Sequence, residues 1–492
     1  MARSQAHGFT TPPPPKNTIG DRIRDAGQAF MDLARLPRAF WFVVLAFVFE
    51  SMSYFGVLTL MTVYLGTDLG WGDGWAGLAV STFTMLVTLF MLGAGSYAES
   101  FGLRRAIIAA LVLCVIGRLM YNVGAGQTLV VGAGLVVAAL LIIAIGEAIL
   151  QPVCYSGVKQ YTDEKTSSMG YGLIYAVMNL GIVVVGELSA RARPAVQAVI
   201  DARQSTQPAE GTTHPGWAVW LAEHVGSGVQ AVNWICWGLT LATLVFFVVA
   251  MTRRAERAKV RPDTAEEQRK ADGRPLGARV RSYFAEGPFT NPRFIFFIFM
   301  LLPVRTLFAH QWLTMPNYIL RAYSEDVGNN MERLVNWINP GIIFFGVPIV
   351  TALTRRVNVY TMMIIGSLVS AAPTFLLCSG PNLWILITYF VVFSIGEALW
   401  SARFLEYASE LAPPGRIAQY MGLANVPWLL AKGTTGLYSG WMLATFCPPN
   451  TPAEQLNTET MWLIYGCIAM LSPIGLLMAR GWVMKGMQGK SE

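Results

Sequence analysis

The chain has 492 residues, 54% of them hydrophobic and only 13% charged, with a mean hydropathy of +0.47. A soluble protein carries about 25% charged residues, so a string of water-soluble domains is excluded. Apolar runs of about 20 residues recur from end to end, which implies a large polytopic membrane protein. The net charge of +7 does not point to a nucleic-acid partner, because the basic residues lie in short segments between apolar runs, where they report topology.

Residues 1–38 are polar, with a stiff stretch at Pro12–Pro15. Asp21–Arg38 is expected as an amphipathic helix on the membrane surface, with Ile23, Ala26, Phe30 and Leu33 on one face. No cleavable signal is expected, so targeting falls to the first span. Six spans are predicted at 39–65, 75–98, 105–124, 128–160, 168–190 and 229–251, forming a bundle over 39–251. A polar connector follows at 252–292. A second bundle, 293–484, holds spans at 293–320, 336–354, 360–378, 382–410, 417–443 and 460–484, and a short tail ends the chain at 485–492. The expected fold class is an all-α membrane protein of about twelve transmembrane helices in two pseudo-symmetric six-helix bundles.

Lys and Arg set the expected orientation. Arg104-Arg105, Lys165, the connector, Arg355-Arg356, Arg416 and Lys485 fall on one side with both termini, while the loops after spans one, three, nine and eleven carry none. The positive-inside rule places that basic side in the cytoplasm of a cell (inner) membrane. The exceptions are the loop 190–228, with Arg191, Arg193 and Arg203, and the loop after span seven, with Arg321 and Arg333. The first of these is long enough to hold structure of its own.

The six cysteines, Cys114, Cys154, Cys236, Cys378, Cys447 and Cys467, form no CxxC pair and read as small packing residues; no metal site is expected. A phosphate-cradling Gly-x-x-x-x-Gly-Lys-Ser/Thr loop is absent, which argues against an ATP-driven pump. No Gly-x-Ser-x-Gly elbow stands out, which argues against an enzyme.

One repeat stands above the rest: Ile145-Gly146-Glu147-Ala148 recurs as Ile395-Gly396-Glu397-Ala398, each copy inside an apolar run. Each places a carboxylate at membrane depth, where ionised groups usually face a protein interior or a water-filled cavity. A duplicated span with a matched acid implies two related halves around a midplane site.

The stretch Gly95-Ser96-Tyr97-Ala98-Glu99-Ser100-Phe101-Gly102-Leu103-Arg104-Arg105 resembles the signature of the major facilitator superfamily between spans two and three. Within that superfamily, Glu50-Ser51-Met52-Ser53-Tyr54-Phe55-Gly56, Tyr175-Ala176-Val177-Met178-Asn179-Leu180-Gly181, Gly396-Glu397 with Leu411-Ala412-Pro413-Pro414, and Met421-Gly422-Leu423 resemble the proton-coupled oligopeptide transporter family. The resemblance implies proton-coupled symport of di- or tripeptides by alternating access, with no cofactor beyond the proton gradient. It departs where the family has a second acid, an Arg and a Lys: those positions hold Phe47, Ser51 and Gln151. The alternatives are a carrier or exporter of a different organic solute, and a receptor-like relative without transport. The expected partners are a small organic solute, protons and membrane lipids, with a monomer as the working unit.

Candidate residues follow from the few charges at membrane depth. Glu50, Glu397, Glu147 and His310 are proton-coupling candidates, with a satisfied packing histidine as the other reading of His310. Tyr54, Arg118, Gln151, Tyr175, Asn179, Arg305, Trp428 and Lys432 are substrate-binding candidates, with Arg305 or Lys432 suited to an anion. Gly95, Glu99, Gly102, Arg104, Arg105, Arg403 and Glu406 are expected at the cytoplasmic gate and its motif. Gly433, Gly436 and Gly440 are expected to permit close helix packing.

Overall fold

The computed structural model describes residues 35–98, 102–124, 129–163, 166–205, 214–258, 291–354, 357–411, 424 and 426–488. The amphipathic segment before Arg35, most of the connector, Glu99, Arg355-Arg356 and Arg416 lie outside the described residues. For Arg403 and Glu406 only the helical backbone is described.

The protein is an all-α membrane protein of two six-helix bundles. The first bundle contains Arg38–Val63, Gly72–Ala98, Leu103–Gly124, Leu129–Tyr161, Ser167–Gln204 and Gly228–Ala250. The second contains span seven in three pieces, then Met331–Leu353, Val359–Ala371 with a 3-10 extension to Ser379, Leu383–Leu411, Val426–Phe446 and Thr458–Met478. Among the described residues ten helical spans are long and apolar enough to cross a membrane; Met331–Leu353 and Val426–Phe446 occupy the eighth and eleventh positions. The side that carries Arg38 and the last helix, Arg480–Gln488, is here the termini side, and the other the far side.

Two departures from the expected boundaries have physical causes. Span five runs on to Gln204 instead of stopping near 190. Val196, Val199 and Ile200 recur at helical spacing beyond the span and are buried against Ala218 and Ala222 of the short helix Gly216–Ala222 and against Ala231, so the helix has a core to cover on the far side. Span seven is broken into Pro292–Met300, Leu302–Leu313 and Met315–Ala322. The second and third pieces each carry a proline in their first turn, Pro303 and Pro316, where the missing N–H costs nothing but the preceding helix cannot continue.

The bundles meet along two seams, span two against span eleven and span five against span eight, with span one touching span seven between them. Gly436 and Gly440 lie where span eleven meets Ser81, Gly77 and Asp73 of span two, and Ser81 donates to the carbonyls of Lys432 and Gly433. The seam thus needs those positions to lack side chains.

The repeated tetrapeptide explains itself in three dimensions. Ile145 and Ile395 face outward, 36% and 42% exposed. Gly146 packs on span three, where a Cβ would meet Cys114 Sγ at 2.7 Å. Gly396 packs on span nine in the same way, where a Cβ would strike the backbone of Ser370. With glycine fixed against the neighbouring helix, the following glutamate is turned into the bundle. At the motif between spans two and three, Gly102 adopts φ +86, the left-handed conformation that favours glycine. Arg104 then reaches the end of span six, donating to the carbonyls of Met251 and, at 3.4 Å, Val248. That is a cation on the negative end of a helix.

Candidate functional site

A cavity lies between the bundles in two lobes of about 330 and about 370 Å³, which share Phe55, Leu58, Met178, Trp312 and Trp428. The first lobe carries Tyr54, Glu147, Gln151, Trp428 and Lys432; the second carries Tyr175, Asn179, Trp428 and Glu397. Eight of the predicted residues therefore converge on one space, from spans one, four, five, ten and eleven.

The charges around it are handled in three ways. Glu397 accepts from Asn339 Nδ2 at 2.7 Å, and Asn339 also donates to Ser394 Oγ at 3.1 Å. Its partner is neutral, so the carboxylate is free to meet a cation from the cavity. Lys432 donates from Nζ to Thr88 Oγ1 at 3.0 Å, with Nζ 5.2 Å from the Trp428 ring centre. Among the described residues it has no acidic partner, and it stands on the second-bundle wall opposite Glu147.

Behind the first lobe, Arg118 of span three joins Glu50 of span one to Glu147 of span four. Its guanidinium donates to Glu50, to Glu147 at 3.1 Å, and to Thr240 Oγ1 of span six at 2.7 Å. All three ionisable side chains are 3% exposed or less. Glu50, Cys114 and Glu147 have ligand atoms within 4.8 Å of one another, a spacing a metal could span. The guanidinium already supplies the cation there. With Ser51 next to it in the chain, Glu50 takes its positive partner from span three.

Arg305 and His310 are not among the described residues that line these two lobes. Arg305 is 6% exposed and lies against aromatic rings, 4.2 Å from the Phe404 centre and 5.9 Å from that of Trp428, with no acidic partner among the described residues. His310 is fully buried, bonded through Nδ1 to Thr314 Oγ1 at 2.7 Å and through Nε2 to Tyr438 at 3.2 Å, and stacked on Tyr465. Both ring nitrogens are occupied.

On the far side the bundles are clamped together. Arg193 of span five donates to Glu332 at the start of span eight, at 3.0 Å through Nη2, and to the Gly328 carbonyl at 2.6 Å. Arg321, at the end of span seven, holds Asp73 of span two through two bonds of 2.7 and 2.6 Å. Arg333 likewise bonds Glu187 at 2.8 and 2.9 Å. Sequence patterns did not single out the Arg193–Glu332 and Arg321–Asp73 clamps, nor Asn336, Asn339, Gln311 and Trp312 in the cavity. The signal available was the set of arginines that break the positive-inside pattern.

Two helical bundles joined by a polar connector, with a charged cavity at their interface and ion pairs across one end, define a membrane carrier. The Major Facilitator Superfamily profile matches residues 9–192 and 211–433, and the chain belongs to that family. Among solved structures, it is similar to a peptide transporter, POT, in complex with sulfate: 15% identity, TM-score 0.65, covering 91% of this chain and 95% of that one. A bacterial homologue of the human drug peptide transporters PepT1 and PepT2 matches at 17% identity and TM-score 0.63, over 91% of this chain and 98% of that one. The nucleoside transporter NupG matches at 12% identity and TM-score 0.61, over 89% and 99%. At these identities the likeness is one of fold.

Proposed function

We propose that the protein is a proton-driven secondary transporter of short peptides or peptide-like zwitterionic solutes, working as a monomer by alternating access in the cell (inner) membrane with both termini cytoplasmic. The observation that carries this is an interbundle cavity with an acceptor for a cation at one lobe, Glu397 with Asn339, and at the other Lys432, a cation with no acidic partner among the described residues. A solute with an ammonium group and a carboxylate would satisfy both poles and bridge the two lobes. Tyr175, Asn179 and Trp428 supply hydrogen bonds and apolar faces for what lies between. The buried ion pairs across the far side support a state closed there, and rocking of the bundles about the two seams would exchange it for the opposite state.

A carrier for another organic solute on the same fold is the second reading, favoured by Ser51 and Gln151 standing where the peptide family has cations. The test is uptake by purified protein in liposomes. Wild type is expected to accumulate a radiolabelled dipeptide under an inward proton gradient, and a protonophore is expected to abolish it. Uptake indifferent to the gradient removes the proton claim. A counterflow screen in which nucleosides or sugars exchange and peptides do not removes the substrate claim.

A further inference from the structure

We infer that Arg305 is a second anion-binding position of the interbundle cavity, closed off from its second lobe by Phe308 and Trp428, and that the transported solute carries a second anionic group for it, as an acidic dipeptide does. The inference rests on the reading of the cavity as a peptide site and deepens it by naming the charge of the solute.

Three spans place Arg305 one layer from the cavity, toward the termini side. Span seven enters from that side, so Arg305 comes one turn before Phe308, which lines the second lobe. Span ten runs the other way, and Trp400 and Phe404 lie one and two turns beyond Glu397. Span eleven begins near Trp428, one turn before Lys432. The guanidinium carbon is 4.2 Å from the ring centre of Phe404, 5.4 Å from that of Trp400 and 5.9 Å from that of Trp428. Phe308 completes the cage on the cavity side, its ring centre 5.7 Å from that of Trp400 and 5.9 Å from that of Trp428.

The surrounding protein leaves this charge unanswered. Arg305 is buried, its Nε has no hydrogen-bond partner, and no acid among the described residues pairs with it. Aromatic faces attract a cation but offset only part of the cost of burying one. Arg305 is also the fourth residue of the helix Leu302–Leu313, the end at which the helix dipole disfavours a cation. Each of these conditions is relieved by an anion. A guanidinium stays charged, and its paired donors fit a carboxylate at two points.

The charges on this wall of the cavity then define the solute. Lys432 Nζ lies 5.2 Å from the centre of the same Trp428 ring, also without an acidic partner among the described residues. Two cations therefore stand by one indole, against the single acid Glu397 on their side of the cavity. Across the first lobe, Glu147 is already bonded to Arg118. A zwitterion with one carboxylate satisfies Glu397 and Lys432 and leaves Arg305 bare. One ammonium group and two carboxylates satisfy all three. Trp428 lines both lobes, and its indole has to turn aside for the second carboxylate to reach Arg305. That makes Trp428 the gate of the subsite.

Glutarate, a bare dianion, tests Arg305 without assuming a peptide. Thermal midpoints of the purified protein are measured with glutarate, with its monoamide and with neither. Glutarate is expected to raise the wild-type midpoint more than the monoamide does, and Arg305→Gln is expected to remove the difference. Should Arg305→Gln fail to fold, Arg305→Met takes its place, since an apolar side chain suits the ring cage. A glutarate response in the variant equal to that of wild type would overturn the inference, as would equal wild-type responses to glutarate and the monoamide. In liposomes, the half-saturating concentration of alanyl-glutamate in counterflow is expected to be roughly tenfold or more below that of alanyl-glutamine, and Arg305→Met is expected to bring the two together. Equal values in wild type would overturn the assignment of a second anionic group to the solute. If wild type exchanges neither dipeptide, the peptide reading falls, and the glutarate comparison still decides Arg305.

Discussion

Removing the carboxylate of Glu332 should open the far side of the molecule. Arg193 and Glu332 have side chains 10% and 0% exposed, and they come from different bundles. Glu332→Gln leaves the guanidinium buried without its counter-charge, a change that costs about 3–5 kcal/mol in comparable buried pairs. Arg193 keeps the Gly328 carbonyl at 2.6 Å, so the low end, about 3 kcal/mol, applies. The loss falls on the state in which the far side is closed, since only there are the partners adjacent. At about 1.4 kcal/mol per tenfold, the balance between closed and open shifts roughly a hundredfold. The assay uses Met178→Cys, which lines both lobes, after replacement of the six native cysteines. An impermeant maleimide is added from the far side of oriented vesicles. Labelling should accelerate by on the order of a hundredfold in Glu332→Gln. It should change little in Glu187→Gln, whose pairs with Arg191 and Arg333 are open to solvent and screened. Equal labelling of Glu332→Gln and its parent would refute the view that the buried pair holds the bundles closed.

The remaining expectations separate the poles of the cavity from its scaffold. Glu397→Gln should weaken a dipeptide in counterflow roughly tenfold to a hundredfold, the worth of a charge-assisted bond of about 1.5–3 kcal/mol; an N-acetylated dipeptide should be unaffected, and equal losses for both would detach Glu397 from the ammonium end. Lys432→Gln should reverse the pattern, weakening the free dipeptide while sparing its C-terminal amide, with exchange kinetics as the readout. Gly436→Ala should destabilise the protein by about 1–3 kcal/mol, because the new methyl collides with Ser81 across the seam. Gly134→Ala, with nothing within 4 Å of the added carbon, is the control, and equal thermal midpoints for the two would contradict the packing of spans two and eleven.

Much of this architecture is legible in the sequence because the bilayer forces local signals. Spans one to four, six, nine, ten and twelve were bounded by apolar length, with ends shifted by a few residues. The repeated Ile-Gly-Glu-Ala points to two acids that line the interbundle cavity, Glu147 and Glu397. What stayed hidden depends on pairings between distant helices. Arg118 meets Glu50 across 68 positions and Arg193 meets Glu332 across 139, and no periodicity encodes such a choice. The basic residues on the far side were visible as exceptions to the positive-inside pattern but lacked an explanation. Each now has an acid: Arg191 and Arg333 share Glu187, Arg193 takes Glu332, Arg203 takes Glu223 and Arg321 takes Asp73. Arg193, Arg321 and Arg333 spend their charge on clamps between the bundles, whereas Arg191 and Arg203 pair within the first. Span five overran its predicted end because its continuation is stabilised by a short helix that hydropathy alone does not reveal.

The two copies of the repeat share a backbone position and differ in what they do with the charge. Glu147 is 2% exposed and is tied within its own bundle to Arg118, which is tied to Glu50. Glu397 is half-buried and bonded to a neutral amide from span eight. A carboxylate that already has a guanidinium gains little by binding a substrate ammonium group, whereas one held by an amide keeps most of its attraction for a cation. The matched positions thus hold one acid neutralised by a guanidinium and one held by a neutral amide, on opposite bundles of the same cavity. The difference predicts that a cation introduced beside Glu397, as in Asn339→Lys, should weaken counterflow of a free dipeptide while leaving that of an N-acetylated dipeptide unchanged. Equal losses for both substrates would detach Glu397 from the ammonium end, and persistence of both would mean that Glu397 is a packing residue.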